Sequence, residues 1–265
     1  MDSKIKKLVE LYEQASKHSN YQILPPELAQ YIPEGNLHVK SRYEKERMDY
    51  IQKKLELGGA VFCDIGCNCG YFSFACMKAG AGAGDLYEGN PAHAEFVKTA
   101  AEVLGLSEVL TVHNEYFTFE ENTGRRYDVG LLLNVLHHVG DDYGKVQNMA
   151  DAKEHILEEL ARMASYTGKL VFQLGFNWMG DRNRCLFETG TKEEMINWLK
   201  EGIKGYWDIE FTGIAVRRDG RVVYEDRNAD NSRRMDELGE FLNRPIFILR
   251  RSGDAAVWQR GKMDE

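Results

Sequence analysis

Between residues 60 and 174, short apolar runs alternate with helical stretches of ten or so residues. A chain written this way builds βαβ units, and these join into a parallel sheet with helices on both faces. The runs at 60–64, 85–88, 109–112, 127–133 and 169–174 read as strands, and helical spacing covers 92–104 and 151–163. Leu131-Leu132-Leu133 and Leu170-Val171-Phe172 are apolar at every position, as strands covered on both faces are. Beyond residue 174 the pattern loosens into a polar, aromatic-containing loop over 176–190. Thr191 with Glu194 three residues on forms a capping box for a helix ending near Lys200. Arg218-Asp219-Gly220 then separates apolar runs at 207–216 and 221–224 as a hairpin turn. A polar connector over 226–240 precedes a last strand at 245–250. The expectation is an α/β fold with a seven-stranded, mostly parallel sheet, its last strand antiparallel.

The first sixty residues are different. Ile5, Leu8, Val9 and Tyr12 predict an amphipathic helix over 3–17, and Pro25-Pro26 and Pro33 then break the chain. A second helix is predicted over 41–57, with Tyr43, Met48, Ile51 and Leu55 inward, before Gly58-Gly59 ends it. This divides the chain into a helical segment or lid over 1–58 and a main domain over 59–265 with a C-terminal hairpin elaboration. At 265 residues and 43% hydrophobic, the chain has ample material for one core. No apolar run approaches membrane-spanning length, and the opening Met1-Asp2-Ser3-Lys4 lacks a signal-peptide pattern. A cytoplasmic protein without membrane insertion is expected. A net charge of −8 argues against wholesale binding of a phosphate backbone. Cys63, Cys67, Cys69, Cys76 and Cys185 show no C-x-x-C pair, so no metal site is expected and the thiols read as small buried hydrophobes.

The informative segment is Val61-Phe62-Cys63-Asp64-Ile65-Gly66-Cys67-Asn68-Cys69-Gly70-Tyr71-Phe72. An apolar strand runs into an acid, then into glycines that admit a ligand close to the backbone, then into a helix. Such a turn lies at the carboxyl edge of the sheet, where open α/β sheets bind ligands. Glu88 ends the next strand, 24 residues after Asp64, where a carboxylate can accept both hydroxyls of a ribose. Asn68 stands within the turn, and asparagine tolerates left-handed backbone. Gly80-Ala81-Gly82-Ala83-Gly84 follows a helix and precedes a strand, the wrong order for a dinucleotide fingerprint, and reads as a connecting loop.

Asp64-x-Gly66-x-x-x-Gly70 followed by Glu88 resembles motifs I and II of class I S-adenosylmethionine-dependent methyltransferases, over about residues 60–174. The resemblance implies a Rossmann-like fold and S-adenosyl-L-methionine as cofactor. It implies cofactor contacts from Asp64, Gly66, Asn68, Gly70, Tyr71, Glu88 and Asn134, with Glu115, or Asn114 beside it, toward the adenine. His137 and His138 follow the fourth strand, where a histidine can take a proton from an attacking hydroxyl. His137, nearer the strand, is the preferred base. Asn177, Trp178, Arg182 and Arg184 after the fifth strand, and Arg42, Tyr43 and Arg47 before the main domain, are candidates for the acceptor. The loop after the fourth strand lacks the Asn/Asp-Pro-Pro-aromatic motif used on nucleobase amino groups. The chain looks similar to bacterial methyltransferases of surface polysaccharides or comparable small molecules, which implies a small-molecule or glycan acceptor, methylated at a hydroxyl. A tRNA-modifying enzyme and a non-catalytic nucleoside-binding domain stay open as alternatives.

Overall fold

The computed structural model describes residues 3–14, 22–32, 39–119, 124–141 and 143–253. Pro33 and the end of the helix expected over 3–17 lie outside them. Helices α1 (Ser3–Gln14) and α2 (Glu44–Lys54) come first. Next are β1 (Val61–Ile65), α3 (Tyr71–Lys78), β2 (Ala83–Tyr87), α4 (Pro91–Val103), β3 (Leu110–His113) and β4 (Tyr127–Leu133). They are followed by α5 (Met149–Tyr166), β5 (Thr167–Gln173) and α6 (Lys192–Gly202). The chain closes with β6 (Trp207–Arg218), β7 (Arg221–Asp226), α7 (Gly239–Leu242) and β8 (Ile246–Arg251).

The sheet has eight strands in the order β3-β2-β1-β4-β5-β8-β6-β7. β1 to β5 pair in parallel, and β8 lies antiparallel between β5 and β6, as expected for the last strand. The count exceeds the expected seven because β7, the return strand of the Asp219-Gly220 hairpin, joins the sheet as an edge. Asp219 and Gly220 have φ of 48° and 78°, the positive pair that a tight two-residue hairpin turn needs. Thr191 Oγ1 accepts from Glu194 N at 3.2 Å, so the Thr191 half of the capping box forms, while the Glu194 carboxylate accepts Glu188 N and Thr189 N, each at 2.7 Å, in the loop before it.

Side-chain alternation splits the core into two layers. Phe62, Val171, Ile246 and Ile248 face a layer shared with α1 to α4. Cys63, Leu170, Phe172, Phe247 and Leu249 face α5 and α6. The N-terminal helices belong to the first layer: Leu8 is fully buried, Tyr12 packs on Phe96 of α4, and Ile51 of α2 is fully buried. α2 is also anchored to the hairpin, where Tyr50 Oη and Lys54 Nζ donate to Asp226 at 2.8 and 2.6 Å. Four cysteines are buried, while Cys185 is exposed. Among the described residues no helix is long and apolar enough to cross a membrane.

The glycine-rich stretch at 80–84 is only partly a loop, because Ala83 and Gly84 open β2. Gly84 pairs with Phe62 across the ladder, and a Cβ there would lie 2.4 Å from the Phe62 ring. The fully buried ring therefore occupies the space a side chain would take. Gly84→Val is expected to overpack the layer and lower stability by about 1–3 kcal/mol. A urea midpoint that falls at constant slope checks this.

Candidate functional site

Strand order reverses between β1 and β4, so the loops leaving these neighbours diverge and open a crevice at the carboxyl edge. A cleft of about 810 Å³ occupies that place. Its wall takes Gly66 and Asn68 from the turn after β1, Glu88 after β2, Glu115 after β3, Asn134, His137 and His138 after β4, and Asn177 and Arg182 after β5. Arg42 and Arg47, beside and within α2, complete one side. Most of the residues named from sequence thus converge on one cavity.

The turn after β1 is held by Glu88. Its two carboxylate oxygens accept Asn68 N and Asn90 N, each at 2.8 Å, linking the turn to the start of α4. Asn90 caps α4 through Ala92 N and His93 N, with Pro91 at the first helical position. Gly66 and Asn68 have φ of 72° and 53°, so the asparagine does adopt the left-handed backbone expected of it. A Cβ on Gly66 would lie 2.8 Å from Val135 Cγ2. Asn134 (φ 62°) and Met179 (φ 54°) are also left-handed and line the cleft. Such backbone persists where surrounding contacts over-determine it, as at binding sites.

Seven named residues stand behind the wall rather than on it. Asp64 is buried beneath the turn, where its Oδ2 accepts Ser73 Oγ at 2.6 Å. Gly70 starts α3 at φ 79°, and the ring of Phe74 fills the place of a Cβ. The Tyr71 ring is buried against Phe72. Asn114 Nδ2 donates to Glu88 O at 3.0 Å, bracing the Glu88 backbone. Trp178 is buried and donates Nε1–H to Val139 O at 2.7 Å, with Arg184 stacked over its ring. Tyr43 is the left-handed residue that starts α2, and it packs on the core layer beneath. Each serves the wall by placing backbone or neighbours.

The cleft also gathers residues that spacing gave no reason to select. His93, in the first turn of α4, places Nδ1 3.2 Å from Asn68 Nδ2, and burial lowers its pKa to about 4. Tyr116 is half exposed and lays its ring where a Gly89 side chain would be. Arg244 gives Nε and Nη2 to Glu240 at 2.9 and 2.6 Å and Nη1 to Asn134 Oδ1 at 2.8 Å. Fully buried Gln173, at the end of β5, accepts Asn134 Nδ2 at 2.9 Å and Arg47 Nη1 at 3.2 Å.

The two histidines differ. His137 is buried, and its Nδ1 accepts Gly175 N at 3.3 Å. Burial, then the charge of Arg244, holds its pKa well below the usual histidine value. A neutral ring accepting at Nδ1 carries its proton on Nε2 and is a donor there. His138 packs on it with ring centroids 4.3 Å apart and is half-buried at the cleft.

No family model and no curated protein matches the chain by sequence. In structure it is similar to the bifunctional kinase-methyltransferase WbdD, at TM-score 0.53 and 15% identity over 92% of this chain and 46% of that one. The chain thus spans about half the length of that protein. It is also similar to magnesium protoporphyrin IX methyltransferase (ChlM) from Synechocystis PCC 6803 with bound SAM. There the TM-score is 0.50 and the identity 15%, over 95% of this chain and 99% of that one. The chain has the S-adenosylmethionine-dependent methyltransferase fold.

Asp64 offers a test of this arrangement. Burial raises its pKa from 3.8 to about 7, against the pull of the Ser73 hydroxyl and with the charge of Glu88 adding to the rise. The folded state therefore binds the proton more tightly than the unfolded state. Stability from this group is full below about pH 3.8 and is lost as pH rises through about 7. Asp64→Asn is neutral throughout, so it should gain on the wild type by about 1–3 kcal/mol between pH 5 and pH 8. Urea midpoints of both proteins at the two pH values measure the gain.

Proposed function

We propose that the protein is an S-adenosylmethionine-dependent methyltransferase acting on a hydroxyl of a small-molecule or sugar acceptor. The observation that supports it most is the Glu88 carboxylate, fixed by two backbone N–H groups at the cleft wall beside the glycine turn. A carboxylate offers about four acceptor positions, so it can take ribose hydroxyls as well as those donors. The remaining wall fits a nucleoside. Tyr116 and Phe117 offer aromatic faces to a purine, and Glu115 stands beside them. Gly66 and Asn68 bring backbone close, and Asn134 continues the wall past the end of β4.

When bound, the cofactor supplies an electrophilic methyl group on its sulfonium. The protein must hold the acceptor oxygen in line and remove its proton. Positioning alone contributes much of the acceleration. For the proton, the sequence favours His137, but the Gly175 N–H occupies its only lone pair and burial opposes its protonation. We assign the base to His138 and a positioning role to His137, whose ring packs against it. Asn177 and Arg182 line the cleft and are assigned to the acceptor, while Trp178 and Arg184 support that loop from behind. The net charge of −8 supports a small acceptor over a long polyanion.

Calorimetry with S-adenosylhomocysteine tests the cofactor assignment. Glu88→Ala should weaken binding about tenfold or more, because hydrogen bonds to a charged group contribute about 1.5–3 kcal/mol. Unchanged affinity in a folded variant removes Glu88 from the site. Turnover on a panel of sugars, small hydroxyl compounds, nucleotides and tRNA identifies the acceptor. With that acceptor, His138→Ala should lower turnover by about a hundredfold or more at unchanged cofactor affinity. The same loss in His137→Ala alone, with His138→Ala fully active, reverses the assignment.

A further inference from the structure

Arg47 is 2% exposed, yet among the described residues no carboxylate bonds its guanidinium. Nη1 donates to the neutral Gln173 carboxamide, and the solvent-excluded Nε has no partner. The group is held between two rings, with Cζ 4.6 Å from the Phe72 centroid and 5.2 Å from that of Phe241. Glu44, one turn away and fully buried, accepts instead from Ser41 Oγ at 2.9 Å and from Arg42 N at 3.0 Å. Positive charge is concentrated further, because the Arg42 and Arg244 guanidinium carbons lie 5.3 and 5.1 Å from the same Phe241 centroid. The Glu240 carboxylate is taken up by Arg244. All three arginines line the cleft.

A cation withdrawn from water without a bonded counter-charge is costly, and arginine does not escape by losing its proton. A ring-sandwiched guanidinium also presents its N–H edge as a preorganised fork, the geometry that takes a carboxylate or phosphate through paired hydrogen bonds. We propose that Arg47 is the base of an anion subsite in the cleft, which takes a carboxylate or phosphate group of a bound ligand. The proposal rests on the cleft being the nucleoside cofactor site, and two molecules can bring the anion there. One is the cofactor, through its amino-acid carboxylate. The other is the acceptor, if it is an acid or a phosphorylated sugar. Gln173 is a positioning residue for the fork, since it fixes Arg47 Nη1 and Asn134 through one oxygen.

The test compares the wild type with Arg47→Met, which keeps an unbranched stem between the two rings, and with Arg47→Lys, which keeps the charge. Circular dichroism and melting establish that each variant is folded. Calorimetry uses S-adenosylhomocysteine, which has the carboxylate, and 5′-methylthioadenosine, which lacks it. Inorganic phosphate and malonate are then titrated into the protein with and without S-adenosylhomocysteine. If the subsite serves the cofactor, Arg47→Met loses tenfold or more in S-adenosylhomocysteine affinity while methylthioadenosine affinity holds. If it serves the acceptor, both nucleosides bind Arg47→Met as they bind the wild type. Phosphate or malonate then saturates the wild type and fails on Arg47→Met, with Arg47→Lys between. A folded Arg47→Met that matches the wild type toward all four probes overturns the subsite. A wild type that binds neither nucleoside overturns the cofactor reading instead, and phosphate and malonate binding then decide the subsite alone.

Discussion

The site is organised around one carboxylate that bonds backbone from two places at once. Glu88 reaches from the end of β2 to Asn68 N in the turn after β1 and to Asn90 N at the start of α4. The parallel pairing of β1 with β2 puts Glu88 beside that turn, with Ile65 opposite Tyr87. The turn can therefore hold left-handed residues at Gly66 and Asn68 that an isolated peptide would not keep. The same carboxylate is the acceptor the proposed cofactor needs. On that proposal structural support and ligand recognition meet in one side chain, held by main-chain donors.

A second polar chain organises the opposite side. Arg47, Gln173, Asn134, Arg244 and Glu240 connect in that order, from α2 through the ends of β5 and β4 to the segment before β8. The first three links join residues 126, 39 and 110 apart in sequence, so the chain forms only when the sheet has its full strand order. Asn134 belongs both to this chain and to the left-handed turn after β4. The backbone after β4, where His137 and His138 follow, is thereby tied to α2 and to the C-terminal strands. This ties the N-terminal helix to the wall of the cleft although α2 precedes the first strand.

The fold was legible because its signals are local and periodic. The strand–helix alternation, the Thr191 helix cap and the Asp219-Gly220 turn are each written within a few residues, and each formed. The edge strand β7 was legible as a hairpin arm but not as a member of the sheet, because sheet membership depends on β6 pairing with β8. The site was legible where a residue's backbone is its contribution, as at Gly66 and Asn68. It was less so where side-chain direction decides. Asp64 points beneath the turn toward Ser73, and Tyr71 points into the core. The Gly175 N–H on His137 is 38 residues distant in sequence. Gln173, Arg244 and Glu240 had no motif to mark them, since only topology brings Arg244 and Glu240 to the cleft and Gln173 behind its wall. His93 had one faint signal, its position one turn after the Asn90-Pro91 helix start.

The central claim is that the cleft between β1 and β4 is a nucleoside cofactor site ordered by Glu88. A crystal structure of the protein with S-adenosylhomocysteine tests it most directly. The account expects both ribose hydroxyls within hydrogen-bond distance of the Glu88 carboxylate, the adenine beside Glu115 and Tyr116, and the sulfur toward His138. A nucleoside bound away from Glu88, or a saturating soak that leaves this cleft filled only with water, would contradict it.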